Sequence, residues 1–157
     1  MQNLAPAMGI YISIPFCRAK CSYCNFASGV YSADRMAAYV EKLTGEIREA
    51  RERVGRWGGE LPNEVDSIYF GGGTPSLLSS RYLEFILKVI REEFSATVST
   101  EITLECAPDQ LSDELLNSMP AMGFNRVSLG VQSFVDREAT AVGRAHTRAI
   151  ILNDINR

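Results

Sequence analysis

The sequence predicts an α/β fold, a parallel sheet with helices packed outside it, and three observations carry that expectation. Four short apolar runs of strand character each precede a run of helical periodicity, so the chain reads as four strand-then-helix units in series. No hairpin signal joins one strand to the next, which leaves right-handed crossovers as the connections. The residues with chemical character fall at or just past the carboxyl ends of four different strands, the edge at which parallel α/β folds assemble their sites.

The elements follow in order. Residues 1–8 read as a flexible tail, and residues 9–15 as a first strand that alternates bulky apolar residues and ends at Pro15. Met36, Val40, Leu43, Ile47, Ala50 and Val54 recur at steps of three and four, which predicts a long helix with one buried stripe and a charged, solvated back. Residues 55–63, rich in Gly and closed by Pro62-Asn63, form the clearest break and read as a loop within one domain. A second strand over 66–70 runs directly into Gly71-Gly72-Gly73, where missing side chains permit positive φ and close backbone approach to a ligand. Ser79 or Ser80 is expected to cap a helix whose Leu83, Ile86, Ile90 and Phe94 face inward.

A third strand over 100–106 carries Glu105 near its end, and a carboxylate in an apolar run calls for a partner. Ser112 caps a third helix with acids in its first turn; Pro120 is expected to stop or kink that helix before Gly123 closes it. The fourth strand spans 126–131 and leads to Gln132. A short helix over 136–142 ends at Gly143, and Thr147 caps a last one.

Three of the four cysteines, Cys17, Cys21 and Cys24, lie within eight residues as C-x3-C-x2-C. One loop with this spacing can wrap one metal centre, and thiolates select zinc, copper(I) or iron–sulfur clusters. Structural zinc needs four ligands, usually as two short pairs, and only Cys106 and His146 remain to complete a set. A disulfide framework is disfavoured because three clustered thiols cannot pair among themselves. A four-iron cluster on three cysteines, with one iron open to a small molecule, is the reading adopted, with zinc as its competitor. Cys106 is then a buried small residue, and His146, in a loop-like segment, is structural or solvated.

The motif Cys17, Cys21, Tyr23, Cys24 resembles the signature of the radical S-adenosylmethionine (SAM) superfamily. Tyr11-Ile-Ser-Ile-Pro-Phe-Cys17, Tyr69-Phe-Gly-Gly-Gly-Thr-Pro-Ser76, Glu101-Ile-Thr-Leu-Glu105 and Arg126-Val-Ser-Leu-Gly-Val-Gln-Ser-Phe134 are similar to blocks of the oxygen-independent coproporphyrinogen III oxidase family and its heme-chaperone branch. The resemblance implies the N-terminal part of a (β/α)6 barrel, truncated after about four units, with a [4Fe-4S] cluster on Cys17, Cys21 and Cys24 and SAM on its open iron. It implies SAM contacts at Tyr11, Tyr23, Gly72, Gly73, Thr74, Glu105, Gln132 and Arg144. Without the motif, Tyr11 and Tyr23 would be read as core and Arg144 as a surface charge. The oxidases resemble C-x3-C-x2-C-x-C, whereas Phe26 stands two after Cys24; this fits the heme-chaperone branch, which binds heme and passes it to a heme-acceptor protein. Heme and that acceptor are therefore expected partners, with coproporphyrinogen oxidation as the alternative.

Composition narrows the function classes. The 157 residues, 46% hydrophobic, suffice for one compact domain or part of one, and a net charge of −3 offers no basic field for nucleic acid. No apolar run reaches membrane-spanning length and no signal peptide is evident, so a soluble protein of the reducing cytoplasm is expected. A barrel stopped after strand four is expected to leave an unpaired edge and much apolar surface in water.

Overall fold

The computed structural model describes residues 7–157. Its four strands, β1 (Ala7–Ile14), β2 (Glu64–Gly72), β3 (Ser95–Cys106) and β4 (Arg126–Leu129), lie in sequence order in one sheet, and every neighbouring pair is parallel. Between them run α1 (Ala33–Gly55), α2 (Ser80–Glu93) and α3 (Asp113–Met122), followed by α4 (Asp136–Ala141) and α5 (Arg148–Ile155).

Strand alternation decides what each face carries. Ile12, Phe70 and Leu104 stand in register across β1, β2 and β3 and are buried, with Ile14, Ile68 and Ile102, against the helices. One step along, Tyr11, Tyr69, Thr103 and Arg126 stand in register on the opposite face, together with Ser13, Ser67, Glu101, Glu105 and Ser128. The helix-covered face is thus the core, and the open face is polar. Helix α1 contributes Val40, Thr44 and Ile47 to the core, while α2 buries Leu83, Ile86, Leu87, Val89 and Ile90. At about 1.5–3 kcal/mol per fully buried side chain, α2 is a principal clamp on the sheet.

Several expectations change. The tail expected over 1–8 is already strand at Ala7 and Met8, which pair with Glu64 and Val65; the remainder lies outside the described residues. β3 begins at Ser95 rather than 100, because Ala96 pairs with Val65 and the ladder resumes at Glu101, the excursion being tied back by the Thr100 hydroxyl to the Val65 carbonyl at 2.8 Å. β4 ends at Leu129, two residues early. Neither Ser79 nor Ser80 caps α2 with its side chain; the Ser80 hydroxyl instead meets that of Ser118 at 3.2 Å. Phe94 sits just past α2 rather than within it, and is still buried.

Pro120 neither stops nor breaks α3, which runs through it to Met122. The proline forfeits one hydrogen bond in the last turn, and that turn is held by buried Met119 and Met122 and by Gly123, whose φ of 98° lets its N–H reach the carbonyls of Met119 and Pro120. Ser112 and Thr147 do cap α3 and α5, accepting from Leu115 N–H and Ile150 N–H at 3.2 and 3.4 Å. The edge expected at β4 is present among the described residues, but the apolar surface beside it is modest: Val127 is 42% exposed, Leu129 is half-buried, and the open face is polar.

Candidate functional site

The carboxyl ends of the four strands open onto one pocket of about 440 Å3. Its lining includes Cys17, Cys21, Tyr23, Cys24, Gly72, Gly73, Thr74, Glu105, Gln132 and Arg144. Ten of the eleven residues expected at the site are therefore brought together. Tyr11 is the exception, set on the open face below the pocket.

The cysteine loop is anchored before it is functional. Phe16, 2% exposed, meets the rings of Tyr31 and Tyr39 edge-on at 5.7 and 5.3 Å, and the Tyr39 hydroxyl donates to the Ser13 carbonyl. Cys17 N–H donates to Gly29 O at 2.8 Å, and Gly29 N–H returns to Pro15 O at 2.9 Å, so the loop closes on its own base. Lys20 ties its far side, donating from Nζ to the carbonyls of Phe26 and Ser28 at 2.6 and 3.1 Å. The Cys24 thiol is held below its ordinary value, chiefly by a backbone hydrogen bond at Phe26 and also by the Ser28 hydroxyl, Lys20 and Arg144, which together outweigh partial desolvation.

The strand expected over 66–70 runs on through Gly71 and Gly72, which pair with Ser13 and Ile14, and each glycine of the run has its own reason. A Cβ at Gly71 would lie 2.7 Å from the Tyr11 hydroxyl and 2.9 Å from the Tyr69 ring. Gly72 takes φ +107°, and its N–H donates to Glu105 Oε2 at 3.2 Å. A Cβ at Gly73 would lie 2.5 Å from the Phe16 carbonyl and 2.9 Å from Cys17 Sγ. Gly73 N–H and Thr74 N–H donate to the carbonyls of Ile14 and Phe16, both at 2.7 Å, so this turn and the root of the cysteine loop are sewn together.

Glu105 finds the partners its position demanded, and they are donors rather than a cation. Tyr69 Oη donates to Oε1 at 2.7 Å, Gly72 N–H holds Oε2, and the Tyr69 ring stacks on Tyr11 with centroids 5.7 Å apart. Across the pocket, Gln132 adopts φ 66°, a left-handed conformation costly for a residue with a Cβ. The Arg144 guanidinium lies 5.9 Å from the Tyr23 ring centroid, and its Nε is buried without a hydrogen-bond partner.

The two candidates for a fourth zinc ligand border the same pocket, but each is buried with its polar atom turned to a backbone carbonyl. His146 is 5% exposed, with Nε2 2.9 Å from the Val131 carbonyl; it is structural rather than solvated. Cys106 is 4% exposed, its thiol faces the Leu104 carbonyl at 3.8 Å, and burial pushes its pKa up to about 12. Among the described residues, no three His, Cys, Asp or Glu side chains converge tightly enough to grip a single metal ion.

Sequence reasoning missed Tyr69 and Lys20. The alternation of β2 was a usable signal for the first, since Tyr69 shares a face with Gly71. Nothing local marks Lys20, whose acceptors lie six and eight residues on.

A family model for the radical SAM superfamily matches residues 11–157. The chain is 35% identical over 147 residues to the heme chaperone HemW of Lactococcus lactis, covering 94% of this chain and 36% of that protein. It is 35% identical over 136 residues to an oxygen-independent coproporphyrinogen III oxidase of Bradyrhizobium diazoefficiens, covering 86% of this chain and 29% of that one. The solved structure of coproporphyrinogen III oxidase (HemN) from Escherichia coli, a radical SAM enzyme, superposes with a TM-score of 0.77 at 28% identity, over 97% of this chain and 34% of that one. The chain thus spans about a third of the length of these relatives. With four parallel β/α units, a three-cysteine loop at their carboxyl edge and a family match running from Tyr11 to the last residue, this chain belongs to the radical SAM superfamily.

Proposed function

We propose that the chain is the cluster- and SAM-binding part of a heme chaperone, with Cys17, Cys21 and Cys24 as ligands of a [4Fe-4S] cluster. The observation that carries this reading is the convergence of the cysteine loop, the glycine turn, Glu105, Gln132 and Arg144 on one pocket. The donor set suits the group: three thiols, the ligand type that holds iron–sulfur clusters, line one pocket, and Gly73, where a Cβ would lie 2.9 Å from Cys17 Sγ, leaves that sulfur its space. Such a cluster, held by Cys17, Cys21 and Cys24, would supply the electron for any reductive cleavage of SAM.

SAM presents an ammonium, a carboxylate, a sulfonium and a ribose diol, and the pocket wall answers them in kind. Glu105, already fixed by two donors, is an acceptor for the ammonium or the diol. Arg144, with its unpartnered Nε, is a donor for the carboxylate. Gln132 adds an amide, Thr74 a hydroxyl, Gly72 and Gly73 backbone groups, and Tyr23 an aromatic wall, while Tyr11, outside the pocket, stacks on Tyr69.

Heme handling is favoured over decarboxylation by Phe26 at the position where the oxidases carry a further cysteine, and by the similarity to HemW. Heme, a heme-acceptor protein and the reducing cytoplasm follow as proposed partners and location. Among the described residues no helix is long and apolar enough to cross a membrane. The second reading, coproporphyrinogen III oxidation, draws on the Bradyrhizobium and E. coli relatives. One experiment separates them: the full-length protein, anaerobically reconstituted, is given heme, and separately coproporphyrinogen III with SAM and a reductant. Heme binding without protoporphyrinogen formation is expected; turnover of the porphyrinogen would overturn the chaperone reading.

A further inference from the structure

We propose that Tyr69 is a positioning residue for SAM, acting through Glu105; the inference rests on the SAM reading of this pocket. Tyr69 does not touch the pocket itself. Its side chain stands on the open face of β2, in register with Tyr11 on β1 and Thr103 on β3. From there its hydroxyl donates to Glu105 Oε1 at 2.7 Å while Gly72 N–H donates to Oε2 at 3.2 Å.

A carboxylate on a strand end, with two free torsions beyond Cβ, sweeps a broad arc unless both oxygens are engaged. Here one oxygen is held from the last residue of β2 and the other from a side chain three residues earlier on the same strand, so the plane of the carboxylate is set before any ligand arrives. Charge-assisted bonds of this kind are about twice as strong as neutral ones, and each oxygen keeps a lone pair for an incoming donor. The Tyr69 ring is fixed in turn by Tyr11, stacked at 5.7 Å with 13° between the planes, and Gly71 makes room for it, since a Cβ there would lie 2.9 Å from the ring. Tyr11 and Glu105, which belong to different strands, are thereby coupled through one side chain that the cysteine motif does not contain. Burial and the Glu105 carboxylate both raise the Tyr69 pKa, so the hydroxyl stays a donor across the neutral range.

The test is a double-mutant cycle on the full chain after anaerobic reconstitution, read as the dissociation constant for SAM by equilibrium dialysis. Tyr69→Phe keeps the ring and its stack on Tyr11, so cluster iron and sulfide should match the parent. SAM affinity is expected to fall about ten-fold, the scale of a lost hydrogen bond to a charged group. In the Glu105→Gln background the same substitution should change affinity less than about two-fold, because the group it orients has lost its charge. A Tyr69→Phe variant that binds SAM as the parent does, or that loses the same factor in both backgrounds, overturns the inference while leaving the SAM reading intact. A parent chain that holds its cluster and does not bind SAM overturns both.

Discussion

At the scale of single residues, the fold is least forgiving where one added atom has no room. Gly73 faces backbone on one side and a thiol on the other, with 2.5 Å to the Phe16 carbonyl and 2.9 Å to Cys17 Sγ from any added Cβ. Gly73→Ala is therefore expected to displace the root of the cysteine loop, at a cost of about 1–3 kcal/mol, and to lower iron and sulfide content after reconstitution; full loading of that variant would show that the turn and the loop move independently. Cys106 makes a second prediction. Its folded pKa of about 12 exceeds the ordinary 9.0, so as pH rises the unfolded chain releases this proton first, and stability contributed below 9 is lost between 9 and 12. In the folded protein at pH 8, a thiol reagent should label Cys106 only after denaturant is added. The sequence marked the glycine run, Glu105 and the three loop thiols because each is chemically unusual at its position. It did not separate the tasks of Gly71, Gly72 and Gly73, since those depend on Tyr11, Glu105 and Cys17 approaching from other segments.

At the scale of elements, periodicity carried most of the information. The stripe from Met36 to Val54 predicts α1 closely, and the inward residues of α2 are buried as expected. What escaped was decided by tertiary contacts: β3 extends back to Ser95 because β2 offers it partners at Glu64 and Val65, and α3 continues through Pro120 because its last turn is packed and capped. Two glycines in or beside helices should respond in opposite directions. Gly45 lies within α1 with open space around its missing Cβ, and Gly45→Ala is expected to stabilise the protein by about 0.5–1 kcal/mol. Gly123 closes α3 at φ 98°, with Arg91 Nη2 2.5 Å from where a Cβ would sit, and Gly123→Ala is expected to destabilise by about 1–2 kcal/mol. Thermal unfolding of both variants checks the pair, and a common sign for the two shifts would contradict the assigned roles.

For the whole molecule, the parallel order of the sheet does the work of gathering. Four β/α units point four carboxyl ends the same way, so residues as distant in sequence as Cys17 and Arg144 line one pocket without any contact between their own elements being specified locally. That topology was legible from the alternation of strand and helix; the polar character of the open face was not, and apolar surface was expected in its place, because the period-two spacing of Tyr11, Ser13, Tyr69, Thr103 and Glu105 has meaning only once the register aligns those strands. The central claim is that the pocket holds a cluster whose open corner accepts SAM. It is tested most directly by reconstituting the chain without oxygen, counting iron and sulfide, and recording the electron paramagnetic resonance spectrum of the reduced protein before and after SAM is added. About four irons and four sulfides per chain, with a spectrum that shifts on addition of SAM, is the result this account predicts; stoichiometric zinc without sulfide, or a cluster spectrum indifferent to SAM, would contradict it.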